Sequence, residues 1–374
     1  MKEKVYVLQV LEGLHAGGME TLIMNYLRQI DHTSVQIDFL VFSGPSHYDE
    51  EVESLGSTIY RLTPRRTNPI KNYWEIDRFF SRHLEYSIVH IHQGITYFKP
   101  LNSAYKHKVP IRIVHSHGID IRYRTKLRWF YHHYAIPHIC KMATNYFACS
   151  DDAAKQMFDT KIIDSKAYYL MKNAIDIQRF SFNFETRREM RQALHIEGKH
   201  VIGHIGRFDY AKNHDFLIRL FSEVNKVDTD SLLLLIGTGE NYEAIQKKVD
   251  EYGLKEKVLF LGVRDDVHRL LQAIDVFVLP SRFEGIPFVG IEAQAAGLPC
   301  IFSTNVDRNI DVTETSSFLS LTDSIDNWVE QVLSAFQKDR ISVTRILADK
   351  GYDIKVEAKK LERFYLRKGE PIDR

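Results

Sequence analysis

The chain has 374 residues, enough to bury a large core and, at roughly 150 residues per domain, to make two domains. Fifty Lys+Arg against forty-nine Asp+Glu give a formal charge of +1, so no whole-chain excess of cations exists to hold nucleic acid. A composition of 44% hydrophobic and 26% charged residues excludes bulk disorder, and three cysteines (Cys140, Cys149, Cys300) without metal-type spacing exclude a disulfide framework and point to a reducing compartment.

In chain order, residues 5–11 form an apolar run that Glu12 ends with no small-residue cleavage site after it, so a first buried strand is a better reading than a signal peptide. No uncharged apolar run approaches the roughly 18 residues of a membrane-spanning helix, and the expected location is the cytoplasm. Further strands are expected at 36–42, 57–62, 88–92, 111–115 and 146–149, with helices at 20–29 and 73–85. A second set follows at 200–205, 231–236, 258–261, 276–279 and 300–302. Strands alternating with amphipathic stretches give an α/β chain with parallel sheets, read here as two doubly wound, Rossmann-like domains. The divisions expected are 1–172, a hinge at 173–199, 200–352, and a charged C-terminal helix in 353–374 placed to pack back on the first domain.

Ligands of open α/β sheets bind beyond the carboxyl ends of strands, so the residues after each strand carry the information. After the first strand, Gly17-Gly18 allows close backbone approach and a helix begins at once, offering N–H groups to phosphate or sugar oxygens. Glycines at 13, 17 and 18 do not fit G-x-G-x-x-G, so a nicotinamide dinucleotide is not indicated. His115 and His117, like His90 and His92, are spaced i, i+2 and share a strand face. They read as a strand-end histidine over a cleft or as buried, hydrogen-bonded histidines; no Asp, Glu or Cys at matching spacing supports a metal.

The second half is more informative. Gly206, Arg207 and Lys212 lie between a strand and a helix, two cations suited to a diphosphate. Gly237 ends the next strand. Glu284 and Glu292 are eight apart across a loop and a helix start, with Gly285, Ile286, Pro287 and Phe288 between them offering free N–H groups. Small apolar neighbours of Glu292 lead us to expect a buried, paired carboxylate, and a carboxylate suits the vicinal diol of a ribose.

Gly17-Gly18-Met-Glu20, Gly206-Arg207 with Lys212, and Glu284-Gly285 through Glu292 together resemble the retaining GT-B glycosyltransferases of family 4 over nearly the full length. The wording of Glu292-Ala-Gln-Ala-Ala-Gly-Leu-Pro-Cys300 looks like the bacterial branch that makes exopolysaccharide, capsule or lipopolysaccharide. The resemblance implies two Rossmann-like domains facing each other across a cleft, 1–172 binding the acceptor and 200–352 the nucleotide sugar, and transfer of a hexose from a nucleotide diphosphate sugar, a UDP-sugar first, to a saccharide or polyprenyl-linked acceptor. It implies Arg207 and Lys212 on the diphosphate, Glu292 on the ribose, Glu284 and His117 on the sugar, and Val263-Arg264 along the base. It also implies Gly17 and Gly18 at the donor phosphate, with no cofactor or metal. Ala174 departs from the glycine usual in the hinge motif, and 305–317 lacks the usual Gly-Gly pair. Rival readings are a nucleotide-sugar epimerase, a phosphorylase, for which no pyridoxal phosphate lysine is evident, and a non-catalytic subunit that only binds nucleotide sugar.

Between Lys99 and Asn145 stand nine Lys+Arg and one acid, Asp120. Tyr123, Leu127, Phe130, Tyr131 and Tyr134 share a helical face there, flanked by Arg122, Arg124, Lys126 and Arg128, with Trp129 at its edge. The face is either core or a peripheral anchor on an anionic membrane surface.

Overall fold

The computed structural model describes residues 4–92, 98–118 and 126–370, with the side chains of 126–133 outside that description. The chain divides into two compact units, Met1–Ala174 with Ile354–Arg374, and Ile175–Asp353. Each is a parallel sheet whose crossover connections carry helices, so its strands are buried on both faces and read as nearly continuous apolar runs.

In the first unit the strands are β1 (Val5–Leu11), β2 (Val35–Val41), β3 (Ile59–Arg61), β4 (Ile88–His92), β5 (Ile111–Ser116), β6 (Asn145–Ala148) and β7 (Tyr168–Leu170). Their order is β3-β2-β1-β4-β5-β6-β7. In the second they are β8 (His200–Ile205), β9 (Ser231–Ile236), β10 (Val258–Gly262), β11 (Val276–Leu279), β12 (Cys300–Ser303) and β13 (Ser317–Leu319), ordered β10-β9-β8-β11-β12-β13. The central pairings put Val7 beside Ile88 and Val276 beside Ile202. Strand order reverses between β1 and β4 and between β8 and β11, which opens a crevice at the carboxyl ends of those pairs.

Sequence reasoning missed β7 and β13. Both are three-residue edge strands, half-buried throughout, with too few residues to show a period. The helix expected at 73–85 runs Pro69–Arg82, because the Asn68 side chain accepts from the Lys71 N–H and Pro69 fits the first helical position. The segment expected as a hinge at 173–199 contains the helix Phe184–Ala193, which lies in the second unit, where Arg187 and Arg191 hold Asp275. The C-terminal helix Ile354–Leu366 groups with the first unit, with Tyr169 donating to Glu357 Oε2 at 2.9 Å and Glu362 accepting from the Asp31 N–H at 3.0 Å.

Candidate active site

At the β8/β11 switch point the two loops singled out by sequence meet. Lys212 Nζ lies 2.8 Å from Glu284 Oε1, both side chains largely shielded from water. The loop holding Lys212 is tightly specified: Asp209 accepts the Lys212 N–H at 3.1 Å and the Ala211 carbonyl accepts the Arg282 N–H at 2.8 Å. Asn213, in the left-handed region at φ 57°, donates from its side chain to the Pro280 carbonyl at 3.0 Å before the helix His214–Val227 begins. Gly206 is dictated by its neighbour, since a Cβ there would lie 2.8 Å from Lys212 Cε. Arg207, on the same loop, is exposed, and its side chain has no hydrogen-bond or ion-pair partner among the described residues. One cation is thus preoriented by a carboxylate and the other is open to an incoming anion.

Glu284 is fixed through its backbone to the segment after β12: its N–H donates to the Asn305 carbonyl at 3.3 Å and its carbonyl accepts from Asp307 at 3.1 Å. Gly285, Ile286 and Pro287 lead into the helix Phe288–Ala295, whose first N–H groups face no capping side chain. Gln294 in that helix is buried; its amide donates to the Gly290 and Ile310 carbonyls, and its oxygen accepts from the Thr313 N–H and hydroxyl. This clamp, which sequence reasoning missed, orders 310–313 without a Gly-Gly pair; its signal was a lone amide among Ala293, Ala295 and Ala296.

Glu292 corrects an expectation. Its side chain is half-buried and has no ion-pair or hydrogen-bond partner among the described residues, so it is neither fully buried nor paired. Loss of solvation raises its carboxyl to about 7, opposed by the charge of Arg179. An unpartnered carboxylate held at a cost in solvation is poised to accept hydroxyl groups from a ligand.

Gly237 sits at φ 130°, and a Cβ there would lie 2.2 Å from the Gly206 carbonyl oxygen, so the ends of β8 and β9 approach as only glycine allows. Beyond β10, Val263 is 62% exposed, an apolar surface open to a flat ligand. The Arg264 fork is already committed to Asp266, at 2.8 and 2.7 Å.

In the first unit, a Cβ on Gly17 would lie 2.4 Å from Glu20 Oε2, whereas Gly18 opens the helix Gly18–Leu27 with nothing within 4 Å of its would-be Cβ. His117 follows β5 and joins a histidine network. His92 Nε2 meets Gln9 Oε1 at 2.7 Å, and His92 Nδ1 meets His117 Nε2 at 2.9 Å. Gln9 Nε2 donates to the Tyr365 hydroxyl at 3.2 Å, which lies 3.0 Å from His90 Nδ1, and His90 Nε2 lies 3.2 Å from His115 Nδ1.

The Gln9 amide sets the direction of every proton. Its oxygen only accepts, so His92 carries hydrogen on Nε2, its Nδ1 accepts, and His117 must donate from Nε2. Its nitrogen only donates, so the Tyr365 hydroxyl donates to His90 Nδ1, and His90 Nε2 donates to His115 Nδ1. One buried ring nitrogen, His115 Nε2, is left without a partner. Desolvation lowers all four imidazoles, His90 and His117 to about 3, so the network is neutral. His90, His92 and His115 offer ring nitrogens close enough for a cation, yet all of these nitrogens except His115 Nε2 already serve one another, His117, Gln9 or Tyr365. Gln9, a polar residue inside an apolar strand, was the available signal for this network; Tyr365, 356 positions away, had none.

The aromatic and basic face at Tyr123, Leu127, Phe130 and Tyr131 with Arg122, Arg124, Lys126, Arg128 and Trp129 lies outside the residues or side chains described, although backbone from Lys126 is helical to Met142. No helix among the described residues is long and apolar enough to cross a membrane.

Two family models match: Glycosyltransferase Family 4 over residues 16–179 and Glycosyl transferases group 1 over residues 186–342. The chain is 33% identical to the putative glycosyltransferase EpsF of Bacillus subtilis, covering 93% of this chain and 92% of that one. It is 26% identical to the UDP-Gal:alpha-D-GlcNAc-diphosphoundecaprenol alpha-1,3-galactosyltransferase of Escherichia coli, covering 67% and 66%. The fold superposes on Anabaena Alr3699/HepE in complex with UDP with a TM-score of 0.79 at 15% identity, covering 96% and 99%.

Proposed function

The chain belongs to the GT-B glycosyltransferases of family 4, and from that premise we propose that it transfers a hexose, with retention, from a UDP-sugar to a saccharide or lipid-linked acceptor in surface polysaccharide synthesis. The observation that carries the donor half is the Lys212–Glu284 pair beside an unpartnered Arg207 at the β8/β11 switch point. UDP in the Anabaena complex and the lipid-linked acceptor named for the E. coli relative favour these substrate classes.

In this reading Arg207 and Lys212 bind the diphosphate, and their attraction grows as negative charge develops on the departing oxygen. Glu292 accepts the ribose diol, Val263 covers the base, and the N–H groups of 285–289 hold phosphate. Glu284 keeps Lys212 in place and accepts from a hydroxyl of the transferred sugar. Gly17, Gly18 and His117 of the first unit stay in the proposal as donor-side residues. His117, neutral with its hydrogen on Nε2, offers Nδ1 as an acceptor. The acceptor oxygen bonds to the anomeric carbon on the face from which the diphosphate departs. The C–O bond electrons pass to the phosphate oxygen, and that oxygen takes the acceptor's proton. No residue is assigned to a covalent intermediate and no metal to the diphosphate, whose charge two cations and a helix start can meet.

Incubation with labelled UDP-glucose, UDP-galactose and UDP-N-acetylglucosamine and a panel of diphosphate-lipid acceptors tests this. Transfer with the donor's anomeric configuration kept, undiminished by excess EDTA, is expected. Epimerised donor without transfer, or binding without turnover, would favour the epimerase or the non-catalytic subunit.

A further inference from the structure

The first unit contains a cavity of about 690 Å³ at the carboxyl edge of its sheet, within the volume range of small-ligand sites. Its walls come from the ends of four adjacent strands: Glu12 after β1, Phe42 after β2, Arg65 and Arg66 after β3, and Phe98 and Lys99 beyond β4. It lies on the edge where parallel sheets bind ligands.

Its charge is one-sided: three cations line it against a single carboxylate. Arg65 and Arg66 are exposed and have no acidic partner among the described residues. They are displayed on an anchored turn, since the Pro64 carbonyl accepts from the Thr67 and Asn68 N–H groups at 3.0 and 3.1 Å. Buried Asn72 donates to the Thr63 carbonyl at 2.7 Å, and Glu75 accepts the Thr63 N–H at 2.8 Å, tying the turn to the helix Pro69–Arg82. Lys99 is held 3.2 Å from Asp77 with its ammonium 3.6 Å from the Tyr73 ring centre, so this cation is positioned while the two arginines remain free. Outside the cavity the same helix exposes Ile70 at 71% and Trp74 at 67%, beside Tyr73 at 45%. A ligand matching this place has a multiply charged anion, a sugar-sized body and an apolar extension.

We infer that this cavity binds the head of an isoprenoid-linked diphosphosugar acceptor, with Arg65, Arg66 and Lys99 on the diphosphate and Phe42, Tyr73 and Phe98 against the sugar and the first isoprene units. Ile70 and Trp74 rest in the membrane interface where the tail is embedded, as a Trp beside cations does at an anionic surface. Glu12, the one carboxylate, takes sugar hydroxyls. The inference rests on the glycosyltransferase reading and supplies its acceptor half.

Farnesyl diphosphate, which carries both the anion and the isoprene, is the probe, titrated calorimetrically into the full chain with excess UDP present. Binding is expected, at least tenfold weaker in Arg65→Ala/Arg66→Ala and little changed in Lys212→Ala. Farnesol and inorganic diphosphate should each bind far more weakly than the joined molecule. Equal binding by wild type and the arginine double variant, loss confined to Lys212→Ala, or equal binding of a phosphate-free farnesyl glycoside would overturn it. UDP titrated into the wild type separates the two readings. If UDP binds and farnesyl diphosphate ignores Arg65 and Arg66, only the acceptor inference falls; if UDP does not bind, the donor reading falls.

Discussion

Lowering the pH should destabilise the first unit through its histidines, by an amount that does not depend on how far each one is shifted. His90, His92 and His115 are buried and titrate well below 6.5 in the folded chain, and near 6.5 when unfolded. Between those values the unfolded chain binds protons that the folded chain refuses, so stability is full above about pH 7 and falls as pH drops through 6.5. At pH 5 each group costs roughly RT ln(1 + 10^1.5), about 2 kcal/mol, and three together roughly 6, against the 5–15 kcal/mol that a domain commands. Glu292, in the second unit, acts with the opposite sign, since a raised carboxyl favours folding as pH falls through about 7. Comparing wild type with His115→Asn cancels that contribution. An asparagine oxygen can still accept from His90 Nε2, but nothing at 115 titrates. Urea unfolding followed by far-UV circular dichroism at pH 7.5 and 5.0 should show the variant losing about 2 kcal/mol less than wild type. An identical loss in both proteins would refute the neutral network.

Arg207→Ala or Lys212→Ala should lower turnover about 10²- to 10³-fold with the melting temperature nearly unchanged, measured as UDP release; near-normal turnover in either removes the clamp. Gly206→Ala should slow turnover through Lys212, because its Cβ would lie 2.8 Å from Lys212 Cε, and a variant as active as wild type would show that the lysine's position is not critical. UDP affinity should rise as pH climbs through about 7, where Glu292 becomes the charged acceptor. In Glu292→Gln that dependence should vanish, and a pH profile parallel to wild type would move the ribose elsewhere.

The sheets were legible because strands such as Val5–Leu11 and Ser231–Ile236 are buried on both faces over nearly their whole length and leave nearly continuous apolar runs. The loops that meet at the β8/β11 switch point were marked in the sequence by glycines and charges that cluster where such runs stop, and the structure brings Lys212 to Glu284 although 72 residues separate them. Pairing across the fold was not legible. Small neighbours of Glu292 suggested a buried, paired carboxylate, whereas it is half-buried and unpaired, and nothing in the local sequence showed that Asp266, two residues on, holds Arg264. The histidine network needed Tyr365 from the last helix, and the cavity at Arg65 and Arg66 needed four strand ends side by side, neither of which a local window contains.

Hydrogen exchange of backbone amides, read by mass spectrometry with and without saturating UDP, most directly tests where the nucleotide sits. Slowed exchange is expected in peptides covering 206–213, 237–240, 262–264 and 284–292 of the second unit. Protection absent from those loops, while UDP is bound, would contradict that placement.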